Sequence, residues 1–283
     1  MPIQLVTGSC ADVSVAKQQE HNIQVVNLSV TWPDGTQSPP GDNHAFYSKL
    51  STSKELPQTA APSPGAFQEV FDAALAKGDE VICVVISGDI SATYNSAVIA
   101  REQSIAPDKI YIVDSRSVAM GEQILLADAV RMRDAGHSAE DIVAVLESRR
   151  YDIRFYALVP DLKYLKMGGR ISAGAATIGS LLNIKPIMGM EEGKVHAFGK
   201  GRGEKQAFQK FIDLVKTDGI DTTKPIMLGY SSDESMMKKL EVCLLEAGLP
   251  VESAEHCEIG STIGTHAGPG ACGISFVRCK NKT

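Results

Sequence analysis

The chain has 283 residues, 43% hydrophobic and 22% charged, ordinary figures for a globular protein with a core in one large or two modest domains. A formal net charge of -6 without a basic block argues against general nucleic-acid binding. Six cysteines at 10, 83, 243, 257, 272 and 279 form no C-x-x-C pair, so reduced buried thiols are read in preference to a disulfide framework or a zinc site. No apolar run reaches membrane-spanning length and the first residues enter a strand without a signal-peptide pattern, so the expectation is a cytoplasmic protein with no stable membrane insertion.

Strand and helix patterns alternate along the chain. Residues Ile3–Val6 read as a strand, Ala11–Gln19 as a helix and Ile23–Val30 as a strand, followed by a turn-rich loop over 31–42. A short helix is expected at His44–Ser51. The next opens with Ser63 as N-cap and Pro64 at the first helical position, and Gly78 ends it. The run Glu80–Ile86 reads as a buried strand, a helix follows Ser91, and Ile110–Asp114 is another strand. Helices follow at Gln123–Asp134 and Ala139–Arg149, the second opened by Ser138 and Asp141. The strand Ile153–Val159 precedes a change of character. A short helix at Asp161–Met167 stops at Gly168-Gly169-Arg170, and Gly174–Leu182 reads as a small-residue helix. A hairpin is predicted from Lys185–Met190 and Lys194–Phe198 around Glu191-Glu192-Gly193. A helix at Gly203–Lys216, a strand at Pro225–Tyr230, a helix at Glu234–Ala247 and strands at Val251–Ile259 and Cys272–Arg278 complete the chain. The pattern predicts an N-terminal α/β domain with a parallel sheet over 1–165 and a C-terminal mixed α/β domain over 166–283, with a ligand cleft between them.

Ligands of open parallel sheets sit beyond the carboxyl ends of the strands. Three polar turns fall there: Thr7-Gly8-Ser9, Ser87–Thr93 and Asp114–Ser117. The second crowds hydroxyls at a strand-to-helix turn, where free N–H groups and Ser or Thr hydroxyls suit a small anion. Near the far end, His266 lies in the glycine-rich stretch Gly264–Gly270, read as a bend beside a cleft. A hydroxyl-lined anion cradle with a distant histidine fits a carboxylate or phosphate ligand.

These motifs, taken in order, resemble the DegV family of bacterial fatty-acid-binding proteins. Thr7–Asp12 is similar to the family's opening T-D-S-x-x-D, Leu56–Pro64 to its P-x-T-S-Q-P-S segment, and Ile86–Ser96 to S-S-x-L-S-G-T-Y-x-S. Val113–Ser115 with Gly121, Leu162–Ile171 (L-x-x-L-x-x-G-G-R-I), Ile184–Ile187 and Ile263–Gly270 complete the set. The resemblance implies a two-domain α/β protein of the EDD fold that holds one long-chain fatty acid, needs no cofactor, is monomeric and catalyses nothing itself. It implies a partner, an ATP-dependent fatty-acid kinase that converts the presented carboxylate to an acyl phosphate. By position, Thr59 and Ser91 would hydrogen-bond the carboxylate, the Ala92 N–H would assist, and His266 would lie beside the head group. Gly8, Ala60, Ala61 and Ala92 depart from the pattern; Ala92 keeps its N–H contact only if its φ stays negative.

Each of these residues has a plainer reading. Ser91 serves as a helix cap, a ligand contact or both, and Thr59 shapes the loop before Pro62 or meets the ligand. Arg170 pairs with a helix dipole or reaches the head group. Lys200 and Arg202 form a solvated face or meet an acidic partner, and Asp114 ties down its own turn. Met188, Met190, Met236 and Met237 read as core filler, although flexible thioethers also suit an acyl tunnel. The rival function is a serine hydrolase of acyl esters through Ser91 and His266 with an acid such as Asp114. Gly88–Ala92 misses the last glycine of G-x-S-x-G, and Gly268–Gly273 leads into a strand where a dinucleotide fingerprint needs a helix.

Overall fold

The computed structural model of the chain describes residues 2–171 and 183–279. The helix expected over Gly174–Leu182 lies outside the described residues. The N-terminal half runs β1 (Ile3–Gly8), α1 (Val15–Glu20), β2 (Ile23–Val26), β3 (Ser29–Thr31), α2 (Asn43–Thr52), β4 (Gln58–Ala60), α3 (Pro64–Leu75) and β5 (Glu80–Val85). It continues with α4 (Thr93–Gln103), β6 (Ile110–Asp114), α5 (Met120–Asp134) and α6 (Ala139–Arg149). Strands β2-β1-β5-β6 form a parallel four-stranded sheet, and β3 pairs antiparallel with β4. The apolar runs of β1 and β5 are buried on both faces, as a sheet covered on both sides requires. Phe67 and Phe71 of α3 and Ala97 and Ala100 of α4 pack on one face; α5 and α6 cover the other.

The second half runs β7 (Ile153–Leu158), α7 (Lys163–Met167), β8 (Ile184–Glu191), β9 (Lys194–Arg202), α8 (Gly203–Asp218) and β10 (Met227–Tyr230). Then come α9 (Ser235–Glu246), β11 (Glu255–Glu258), α10 (Ser261–Ala267) and β12 (Cys272–Val277). Its mixed sheet has the order β11-β10-β12-β7-β8-β9. Phe208, Phe211 and Val215 of α8 and Leu240 and Leu244 of α9 pack on its outer face with Phe276. Helix α5, buried from Met120 to Met132 apart from a few positions, is the shared layer: its Ile124 and Leu125 join a core holding residues of β1, β5, β7 and β12. The chain thus has a parallel-sheet unit and a mixed-sheet unit, the α/β architecture that the pattern predicts. By sheet membership the chain changes units between α6 and β7, ahead of the 165/166 division, because β7 hydrogen-bonds β12 and β8.

Local chemistry accounts for the ends of these elements. Ser63 accepts from Ala66 N at 3.2 Å, and Ser138 accepts from Asp141 N at 3.1 Å while its hydroxyl meets the Asp141 carboxylate. The expected single strand 23–30 is two strands, because Leu28 N turns aside to donate to Ser9 Oγ at 3.0 Å. The stretch around His266 is a helix, α10, where a bend was expected. Gly264 is there for close approach: a Cβ would lie 2.8 Å from Tyr47 Cζ and 3.0 Å from Phe46 Cε1.

Candidate functional site

The three polar turns share one rim of the parallel sheet. Ser87 N donates to Ser117 O at 3.0 Å, Ser115 N to Val85 O at 3.0 Å, and Ala119 N to Cys10 O at 3.1 Å. Asp114 Oδ1 accepts from Gly88 N at 3.4 Å and Arg116 N at 2.8 Å, so this carboxylate ties its own turn together. Asp12 Oδ1 accepts from Gly260 N at 3.0 Å and Tyr47 donates to Ile259 O at 2.7 Å, which fixes the start of α10 and hence His266.

Between this rim and the inner face of the mixed sheet lies a cavity of about 100 Å³. Ile86, Ile90 and Val118 wall it from one side, and Phe155, Met188 and Met190 from the other. The polar side chains among its walls include Thr59, Ser91, Arg170 and His266, brought together from β4, the turn after β5, the segment after α7, and α10. Four of the residues singled out from the sequence therefore meet in one place. Ala92 and Arg202 do not line this cavity. Ala92 caps α4 with φ -70°, so its N–H keeps the conformation that the contact would need. Arg202 is exposed at the end of β9, its N–H held by Gln206 Oε1 at 2.6 Å. Ala60 and Ala61 are not walls of the cavity either.

His266 Nε2 lies 3.0 Å from Thr59 Oγ1. Burial, with the Arg170 guanidinium nearby, lowers the imidazole pKa to about 4, so the ring is neutral at pH 7. Its Nδ1 is buried without a partner. Buried N–H groups are seldom left orphaned, so the tautomer with the lesser deficit carries its proton on Nε2 and donates to Thr59. Thr59 then has its own hydrogen free for a ligand. Ser91 also has a buried neighbour: the hydroxyl of Thr93 lies 2.8 Å from Ser91 Oγ, which accepts from Thr93 N at 3.3 Å. Ser91, one residue before the N-cap Ala92, thus holds the first N–H of α4 and is a cavity wall. Thr93 falls within the hydroxyl-rich turn Ser87–Thr93 read from the sequence, but its pairing with Ser91 is not anticipated there.

The Gly168-Gly169-Arg170 stop has a packing cause. A Cβ on Gly168 would fall on His266 Nδ1 and lie 2.8 Å from Cε1, so the ring occupies the space of the absent side chain. Gly169 adopts φ +69°, a left-handed cap open to glycine at no steric cost. The turn delivers Arg170, which donates through Nε to Ile90 O at 3.3 Å and through Nη1 to Gly168 O. Among the described residues no carboxylate forms an ion pair with Arg170. The cavity therefore combines an apolar body with one end of two hydroxyls, a neutral imidazole and an unneutralised guanidinium. Cys10, another wall, has its thiol pushed well up by burial and stays protonated.

A second cavity of about 460 Å³ shares Leu28 and Thr262 with the first. It is the roomier, but Asp12, Ser14, Lys17, Asn27, Asn43 and Glu258 line it, and an apolar chain there would strip water from charged groups. Among the described residues no group of three or more His, Cys, Asp or Glu side chains could hold a metal, and no helix is long and apolar enough to cross a membrane.

Comparison with known proteins finds relatives along the whole chain. A DegV domain-containing protein of Caldanaerobacter subterraneus subsp. tengcongensis is 34% identical over 280 residues, covering 97% of this chain and 98% of that one. The structure of a fatty-acid-binding DegV family protein from Thermus thermophilus superposes with a TM-score of 0.89 at 32% identity, covering 99% of this chain and 100% of that one. A stearic-acid-binding protein from Eubacterium ventriosum gives a TM-score of 0.85 at 26% identity over 98% of each chain. Residues 2–278 match the model of the DegV family itself, and the chain belongs to that family.

Proposed function

We propose that this protein binds one long-chain fatty acid and presents its carboxylate to a separate ATP-dependent fatty-acid kinase. The observation that carries the reading is the cavity: apolar along its walls, with Thr59, Ser91, His266 and Arg170 gathered at its polar groups. A buried carboxylate without donors would cost several kcal/mol, and the Thr59 and Ser91 hydroxyls offset that cost. Arg170 adds the countercharge. The Ala92 N–H, at the start of α4, is a further donor for the head group or its phosphate. Exposed Lys200 and Arg202 are assigned to contact with an acidic face of the kinase.

The geometry gives no support to a serine hydrolase. His266 Nε2 is engaged by Thr59, Ser91 pairs with Thr93, and Asp114 binds its own turn, so base and nucleophile are not coupled. Phosphorylation with a cognate kinase and ATP tests the proposal. Wild type should yield acyl phosphate. His266→Ala should lose more acyl phosphate than bound acid, because Ser91 and Arg170 still hold the carboxylate. Acyl-ester hydrolysis by the protein alone, abolished by both Ser91→Ala and His266→Ala, would overturn the reading in favour of the hydrolase.

A further inference from the structure

The β8–β9 hairpin closes with a two-residue turn, Glu192-Gly193, at φ +50° and +80°. Such a turn needs no contact with the rest of the molecule, yet this one is seated on the head-group turn of the parallel sheet. Ser87, fully buried, donates from Oγ to Gly193 O at 2.7 Å. A Cβ on Gly193 would lie 2.6 Å from Asp89 Oδ2 and 2.8 Å from Ser87 Oγ, so the two turns touch backbone to side chain. Outside them Lys194 Nζ sits 3.9 Å from Asp89 Oδ1. The residues flanking the junction on both sides are cavity walls: Met190 and Val195 on the hairpin, Ile90 and Ser91 on the turn.

Ser87 also organises the turn itself. Its carbonyl accepts from Ile90 N and Ser91 N, each at 3.2 Å, and its Oγ accepts from Asp89 N at 3.3 Å. One buried hydroxyl therefore ties the strand that carries the fatty-acid clamp to a hairpin of the opposite sheet. No covalent link closes this wall. A neutral hydrogen bond and an exposed ion pair are weak enough to open and re-form.

We infer that the Ser87–Gly193 contact is a latch on the acyl cavity, with Ser87 a positioning residue that sets the rate at which the ligand enters and leaves. The inference rests on the fatty-acid reading and adds a route. The hairpin tip lifts from the turn, Met190 and Val195 separate from Ile90 and Ser91, and the chain passes between the sheets.

Stopped-flow exchange of a fluorescent fatty acid, cis-parinaric acid, on the delipidated full chain tests it. Ser87→Ala should speed release roughly three- to tenfold, the size expected for one neutral hydrogen bond. Entry should quicken too, so that Kd changes less than either rate. The ideal Gly193 Cβ lies 3.5 Å from Asp89 Cβ, a spacing at which two cysteines can bond. Oxidised Asp89→Cys/Gly193→Cys should therefore release the probe at least about tenfold more slowly than the same protein after reduction. Equal release rates in the oxidised and reduced pair, or a Ser87→Ala release rate equal to that of wild type, would overturn the latch. Absence of probe binding by wild type would instead refute the fatty-acid reading on which it rests.

Discussion

Replacing Gly168 by alanine tests how the site is assembled, because the backbone there does not itself demand glycine. Its φ is -71°, ordinary for any residue. What demands glycine is the His266 ring, which fills the place of the missing Cβ. In Gly168→Ala the ring must move off, breaking the 3.0 Å contact with Thr59. Forcing a methyl into a packed position costs about 1–3 kcal/mol, and the lost hydrogen bond about 0.5–1.5. The expected destabilisation is about 2–4 kcal/mol, or roughly 4–8 °C in Tm for a chain of this size. Thermal unfolding should be followed on delipidated protein, since bound ligand would add its own stabilisation. Adding His266→Ala empties the space, so the double variant should be less destabilised than the sum of the two single variants by about 1–3 kcal/mol. Additive effects, or a Gly168→Ala protein that melts like wild type, would refute the packing argument.

Ser91→Ala should weaken fatty-acid retention by about 1.5–3 kcal/mol while leaving the far-UV signal unchanged, measured by competition with a labelled fatty acid. Glu122 is fully buried, and burial, with Asp12 and Asp114 nearby, raises its pKa well above the ordinary carboxylate range against the pull of a backbone hydrogen bond from Ala119. A raised folded-state pKa means that its contribution is full below the unfolded value and is lost as pH rises through the folded one. Glu122→Gln should therefore gain Tm relative to wild type as pH increases, and a constant difference across the pH series would contradict this. Asp128, almost wholly buried, pairs with Arg131 at 3.1 Å, Arg149 at 3.2 Å and Lys224 at 3.7 Å. Asp128→Asn should cost about 3 kcal/mol by leaving the half-buried Arg149 and Lys224 charges without their partner, read from urea midpoints.

Much of the fold is legible in local pattern. Strands β1 and β5 are continuous apolar runs, and the Ser63 and Ser138 caps bind where their spacing predicts. What escapes are features set by partners far away in the chain. The break between β2 and β3 comes from Ser9, and the helical state of the His266 segment is accompanied by close packing against Tyr47 and Phe46. The polar half of the site is legible through the ordered motifs taken together, because alone a hydroxyl turn also reads as a helix cap and a Gly-Gly-Arg stop as a helix-dipole partner. The apolar half is not: Phe155, Ala157 and Met188 alternate like any half-buried strand residues, and only the facing of the two sheets makes them a cavity wall. The Ser87–Gly193 bond spans 106 positions, beyond the reach of any pattern in the sequence.

In the proposed function the cavity holds a fatty acid by its carboxylate. This is tested most directly by organic extraction of the purified protein and quantitative mass spectrometry, on wild type and on Ser91→Ala with Thr59→Val. Wild type should carry close to one equivalent of long-chain fatty acid per chain, and the double variant a small fraction of that. A wild-type protein that is empty and takes up no fatty acid when supplied with it, or a double variant that retains a full equivalent, would contradict the account.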